Sequence, residues 1–155
     1  MIENNEKYMH KCLLLAEIAL KSGNPPVGAI LIHNDIIIGE GIESGKSTGD
    51  ITNHAEILVV RDVIAKGHST LLNQATLYTT HEPCIMCAYV LRHHKIPNIV
   101  FGVTVDFIGG FTSQFNVLSS ENIPKWGEKP KVIGGVCEEA CIALNKAFQQ
   151  YLIKK

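Results

Sequence analysis

The segment VGAILIHNDIIIGEGI, residues 27–42, constrains the fold of this chain more than any other. Two β-rich runs flank Asn34-Asp35, a turn-forming pair, and nothing else separates them. A two-residue connection between such runs predicts a β-hairpin, although the strongest hairpin pairs carry glycine second.

Around the hairpin, helix and strand alternate. Met9, Cys12, Leu13, Ala16, Ala19 and Leu20 recur at helical spacing and predict a helix over 6–21, which SGNPP ends. ESGKSTGDIT is a polar loop, and a second helix runs from His54 to Lys66 and stops at Gly67. ATLYTT is a short strand, a third helix runs from Pro83 through His94, and NIVFGV is the next strand. A weak helical segment at 112–119 and a last strand in KPKVIGGV follow. The final helix has Cys137, Ala140, Cys141, Leu144, Phe148 and Tyr151 on its apolar face. The order α-β-β-α-β-α-β-(α)-β-α implies an α/β sheet with helices on both faces. No repeat, low-complexity tract or linker interrupts it, so residues 1–155 read as a single domain.

The bulk properties exclude some classes. A formal net charge of −1 gives no basic field for non-specific capture of nucleic acid. No apolar run approaches a membrane span, and MIENNEKYMHK is too acidic and polar for a signal peptide. Five cysteines, an odd number scattered among apolar residues, argue against a disulfide framework and for a reducing, cytoplasmic setting.

Two short segments carry the chemistry: NHAEI at 53–57 and TTHEPCIMC at 79–87. Cys84 and Cys87 are i, i+3 and share a helix face. Pro83 suits a first helical turn, where the helix dipole favours thiolate over thiol. Two thiolates and one imidazole make a catalytic zinc set that leaves a fourth position to water. His54 is the candidate imidazole. At the first turn of its helix, Glu56 can face the same pocket without binding metal. Two thiolates weaken a zinc ion as a Lewis acid, so a base beside it is useful. Such acid–base help contributes about 10²–10⁴-fold.

His-x-Glu followed by Pro-Cys-x-x-Cys resembles the zinc nucleobase deaminase signature. PVGAILI, GEG, HAEI, ATLYTTHEPCIMCA and IPNIVFG extend the likeness over most of the chain. The sequence is similar to the cytidine deaminase-like superfamily, in the branch with tRNA adenosine deaminases, guanine deaminases and cytosine deaminases. That resemblance implies zinc held by His54, Cys84 and Cys87, with Glu56 as proton shuttle. It implies a three-layer α/β/α fold on a five-stranded mixed sheet, and a homodimer. Glu43 departs from it, standing where many relatives carry an asparagine that contacts the base. An ionised carboxylate only accepts hydrogen bonds, so Glu43 is expected to meet a ring edge with two N–H donors.

Other residues have structural readings beside functional ones. Asn53 and Glu56 resemble a capping box. Glu82 reads as the N-cap of the zinc helix, with a second proton-handling role as the alternative. Phe107 is a candidate for lining the pocket, and Trp126, Asn24 and GGFTSQF for its rim. Cys12, Cys137 and Cys141 read as core rather than as a second metal pair. RHHK at 92–95 reads as the basic end of the third helix. GKST lacks the earlier glycine of a phosphate loop and reads as a solvated loop.

These features predict a hydrolytic deaminase that releases ammonia from a free nucleobase of guanine or cytosine type, or a related small heterocycle. The near-neutral charge, the short tail YLIKK and the missing asparagine place a tRNA-specific adenosine deaminase second, and nucleic acid is a partner only under that reading. A binding module that keeps zinc only for folding is disfavoured by Glu56.

Overall fold

Along β1 (Gly28–His33), Ala29 and Leu31 enter one core and Ile30 and Ile32 another, as the two-residue period of a strand requires. The same alternation continues through Leu77 and Tyr78 of β3 (Thr76–His81) and Ile99 and Val100 of β4 (Asn98–Val103). The structure, a computed structural model, describes residues 2–155. On one side, α3 (Ala55–Ala65) and α4 (Ile85–His93) bury Val59, Val60, Val63, Ala88 and Leu91 against the sheet. On the other, α1 (Ile2–Lys21) buries Tyr8, Met9, Cys12 and Leu15, and α5 (Glu138–Ile153) packs beside it. The result is the expected three-layer α/β/α arrangement.

The sheet is mixed and five-stranded, in the order β2-β1-β3-β4-β5, with β2 at Ile36–Ile42 and β5 at Lys131–Ile133. β1 runs antiparallel to β2 and β3, and β3–β4 and β4–β5 are parallel. The hairpin turns on Asn34 and Asp35, whose φ values of 49° and 61° give the left-handed pair of a type I′ turn. β3 and β4 therefore end at the same edge of the sheet, and the crevice beyond those carboxyl ends is where α/β sheets place ligands. Gly41 brings α3 close enough to form one wall of it. A Cβ there would press on Ala55 O and sit 2.7 Å from Val59 N.

Several elements differ from the sequence reading. α1 starts at Ile2 rather than residue 6. GKST is a one-turn helix, α2 (Gly45–Thr48), rather than loop. Within 112–119 only Val117–Ser119 is helical, as one turn of 3₁₀ helix. The last strand shrinks to three residues at the sheet edge, and Cys137 becomes the left-handed cap before α5. Of the apolar face expected for α5, only Cys141 is fully buried, because that helix lies at the periphery. No helix among the described residues is long and apolar enough to cross a membrane.

Candidate active site

His54 and Cys84 occupy the N-cap positions of α3 and α4, and neither side chain caps its helix. A Ser, Thr, Asp or Asn there would contribute about 1 kcal/mol. The chain forgoes that contribution twice and aims both side chains outward into one crevice. Pro83 lies just outside α4 rather than in its first turn. The capping box does not form. Asn53 instead donates to Thr48 Oγ1 at 3.0 Å and accepts from Arg61 Nη1 at 3.2 Å.

The convergence is close. His54 Nδ1 lies 3.5 Å from Cys84 Sγ and 3.5 Å from Cys87 Sγ. One ligand atom from each residue lies within 4.8 Å of the others. A tetrahedral zinc with sulfur at about 2.3 Å and nitrogen at about 2.0–2.1 Å sets those atoms about 3.5 Å apart. The donor set and its spacing thus fit zinc. The protons on these groups are already contested. Hydrogen bonding from Cys87 holds the Cys84 thiol down at about 4, while the same pairing drives Cys87 up. Hydrogen bonding to Cys84 lifts His54 to about 9. A divalent ion takes the place of those protons, since it binds thiolate and neutral imidazole.

Glu56, one residue into α3, is buried beside this cluster. Its Oε2 lies 3.6 Å from Cys87 Sγ, and its Oε1 accepts from Thr79 Oγ1 at 3.0 Å. Burial pushes its carboxyl up to about 7. The surrounding pocket, about 360 Å³, is walled by Pro25, Val27, Ile51, Val105 and Ile108, with Lys46 among its polar lining. Glu43 also lines it, 5% exposed, and its Oε2 accepts from Gly45 N at 2.8 Å. Burial raises the Glu43 carboxyl, opposed by the backbone N–H groups of Gly45 and Ala55. His81 faces the pocket and pairs through Nε2 with Asn145 Oδ1 of α5 at 2.8 Å, and burial lowers its pKa.

Five residues sit elsewhere or act otherwise than expected. Glu82 lines the pocket but is not a cap of α4 and is not free to move protons. It is 1% exposed, and its Oε1 accepts from Val105 N and Thr112 Oγ1 at 3.0 and 2.7 Å. Its Oε2 accepts from Phe111 N and Thr112 N at 2.8 and 2.7 Å. Gly109 is required beneath it, because a Cβ there would fall on the carboxylate. Phe107 does not line the pocket: it is 87% exposed, at the tip of the loop after β4. Trp126 is buried in a separate hollow with Lys95 and Lys131, at the opposite ends of β4 and β5, because the chain returns along α4. Arg92 is likewise no solvated helix end. It is 2% exposed, stacks 5.0 Å from the Trp126 ring centroid, and donates through Nη1 to Val117 O and Ser120 O. Asn24 holds α2 through Ser47 rather than rimming the pocket.

Sequence reasoning placed His81 at the mouth of the zinc helix but missed Thr79, Val105 and Ile108. Strand alternation could have found Thr79, which shares the α3 side of β3 with Leu77. Nothing comparable marks Val105 and Ile108, which lie in irregular chain.

The family model for the cytidine and deoxycytidylate deaminase zinc-binding region matches residues 2–103. The tRNA-specific adenosine deaminase 2 of Xenopus tropicalis is 36% identical over 154 residues, covering 96% of this chain and 90% of that protein. The tRNA-specific adenosine deaminase of Aquifex aeolicus is 32% identical over 148 residues, covering 94% of each. A solved structure from a study of A-to-I editing by tRNA deaminases at the wobble position aligns with TM-score 0.80 at 28% identity, covering 89% of this chain and 98% of its own. A guanine deaminase from Nitrosomonas europaea aligns at 0.78 and 20% identity, covering 94% and 84%, which shows the fold alone. These relatives overturn the expectation of a free nucleobase or small heterocycle as substrate. The asparagine departure did not decide the substrate: Glu43 lines the pocket, with its Oε2 accepting from Gly45 N.

Proposed function

Because the chain belongs to the zinc-binding cytidine and deoxycytidylate deaminase family, we propose that it deaminates adenosine to inosine in tRNA, at the wobble position of the anticodon. The class of chemistry is hydrolysis of a C–N bond, with zinc as cofactor. One observation carries the assignment of roles: a single imidazole and two sulfurs at zinc-ligand spacing, with a buried carboxylate alongside. The full-length relatives named for tRNA support the substrate.

His54, Cys84 and Cys87 would hold the ion. Zinc supplies Lewis acidity that makes water a nucleophile near neutral pH. Glu56 takes one proton from the attacking water as the new C–O bond forms at the amino-bearing ring carbon. It passes that proton to the ring nitrogen, then takes the remaining proton of the newly added hydroxyl and gives it to the amino group, so that the C–N bond breaks, the ring carbonyl forms and ammonia leaves. Atoms balance as adenosine plus water giving inosine plus ammonia. Thr79 Oγ1 holds the carboxylate in line by donating to Oε1. Val27, Pro25, Ile51 and Ile108 supply apolar walls for a base and keep bulk water from the ring.

The test uses the zinc-loaded chain and a set of anticodon stem-loops with adenosine at the wobble position. Nucleoside analysis of the digested RNA should show inosine. Ammonia release from free bases with no inosine in any stem-loop or whole tRNA would overturn the reading.

A further inference from the structure

We infer that Phe107 is a stacking platform for the base that neighbours the target adenosine in single-stranded RNA. The inference rests on the tRNA reading above and extends it by assigning a flanking-nucleotide contact. Phe107 sits at the centre of a three-residue turn in which Ile108 N–H donates to Asp106 O at 2.7 Å. Its φ is 66°, the rare positive-φ form of the γ-turn. A bulky L side chain is strained there, and such strain persists where surrounding structure imposes it.

The surroundings do impose it. Val105 N is held by Glu82, Ile85 N donates to Ile108 O at 3.1 Å, and Gly110 N donates to Pro83 O at 2.7 Å. The loop is thereby tied on both sides of Phe107 to the segment that carries the zinc cysteines. Its neighbours Val105 and Ile108 line the pocket, so the turn borders the mouth and carries Phe107 just outside the lining. The ring is 87% exposed and has no aromatic partner among the described residues. Across the mouth stand Ile51, 77% exposed, and Lys46, whose charge suits a phosphate. RNA loops present unstacked bases, and aromatic rings hold them with little regard to sequence. A fixed exposed ring beside a base-sized pocket and a lysine matches that chemistry.

The experiment uses the zinc-loaded full chain and two stem-loop RNAs with 2-aminopurine immediately 5′ or 3′ of the target adenosine. The parent protein should quench one of them on binding. Phe107→Ala should abolish the quench and lower kcat/KM on the stem-loop about 5- to 150-fold, the range for losing one stacked base. Its zinc content should not change. Phe107→Trp should retain both properties. Phe107→Gly relieves the backbone strain, so it should melt no lower than the parent while binding RNA as poorly as the alanine variant. Unchanged editing by Phe107→Ala, or 2-aminopurine fluorescence indifferent to the residue, overturns the inference. So does sedimentation showing that Phe107→Ala separates a dimer, which would make the ring a contact between copies. If the parent forms no inosine in any stem-loop, the tRNA reading itself fails, and that result is read before any variant is compared.

Discussion

The floor of the pocket and its rim are built differently. His54, Glu56, Cys84 and Cys87 project from the first turns of α3 and α4, helices whose apolar faces enter the main core. Val105 and Ile108 project from irregular chain with no such face, fixed by hydrogen bonds from its backbone to the Glu82 carboxylate. Ligand geometry on the floor is set by helix packing, which tolerates exchange of one apolar residue for another. Geometry at the rim rests on one buried carboxylate and on two backbone bonds, Ile85 N to Ile108 O and Gly110 N to Pro83 O, with no packed helix face behind them.

The floor is broken most sharply at Glu56. Under the proposed roles, Glu56→Gln keeps shape and removes the proton acceptor, so kcat should fall about 10²–10⁴-fold with zinc retained. Metal analysis beside steady-state kinetics checks it. Loss of zinc together with activity would mean that the carboxylate serves the site's assembly rather than its chemistry.

The rim is broken at Glu82. Glu82→Ala strands the N–H groups of Val105, Phe111 and Thr112 and the Thr112 hydroxyl. A fully buried unsatisfied donor costs about 1–3 kcal/mol, but these bonds are part-buried and water can reach some of the donors, so a net loss of about 3 kcal/mol over the four is expected by denaturant unfolding. Amide exchange should accelerate at Phe111 and Thr112 and stay slow in α3. Uniform acceleration would show that rim and floor unfold as one unit.

The same contrast explains what was legible in the sequence. The floor was readable because Cys84 and Cys87 are one turn apart and because His54 and Glu56 can share a pocket only at a helix start. The layers were readable because Ala29 and Leu31 alternate with Ile30 and Ile32. The rim was not, because the donors to Glu82 are backbone N–H groups 23 to 30 residues away, which every residue but proline possesses. Phe107 and Trp126 were misplaced for the same reason: an aromatic in irregular chain carries no period that says which way it faces.

A smaller effect sharpens the link between sheet and floor. Thr79→Val preserves volume in β3 and removes the donor to Glu56 Oε1. One such bond is worth about 1–1.5 kcal/mol, so kcat should drop about tenfold with zinc unchanged. A loss as large as that of Glu56→Gln would make Thr79 part of the proton path rather than a guide for the carboxylate.

The smallest effect is expected where the rim segment meets the end of α4. Arg92 looks like the cationic counterpart of Glu82, holding Val117 O and Ser120 O through Nη1. Its Nε and Nη2, however, are buried with no partner among the described residues, and burial depresses its pKa. The favourable terms are two hydrogen bonds and the stack on Trp126, together offset by desolvation of an unpaired cation. Arg92→Met removes the cation while keeping the apolar stem, so stability should change by no more than about 1 kcal/mol. Editing should be unaffected, since Trp126 and its hollow lie away from the pocket. A loss matching that of Glu82→Ala would show that two buried charges, rather than one, hold the segment in place.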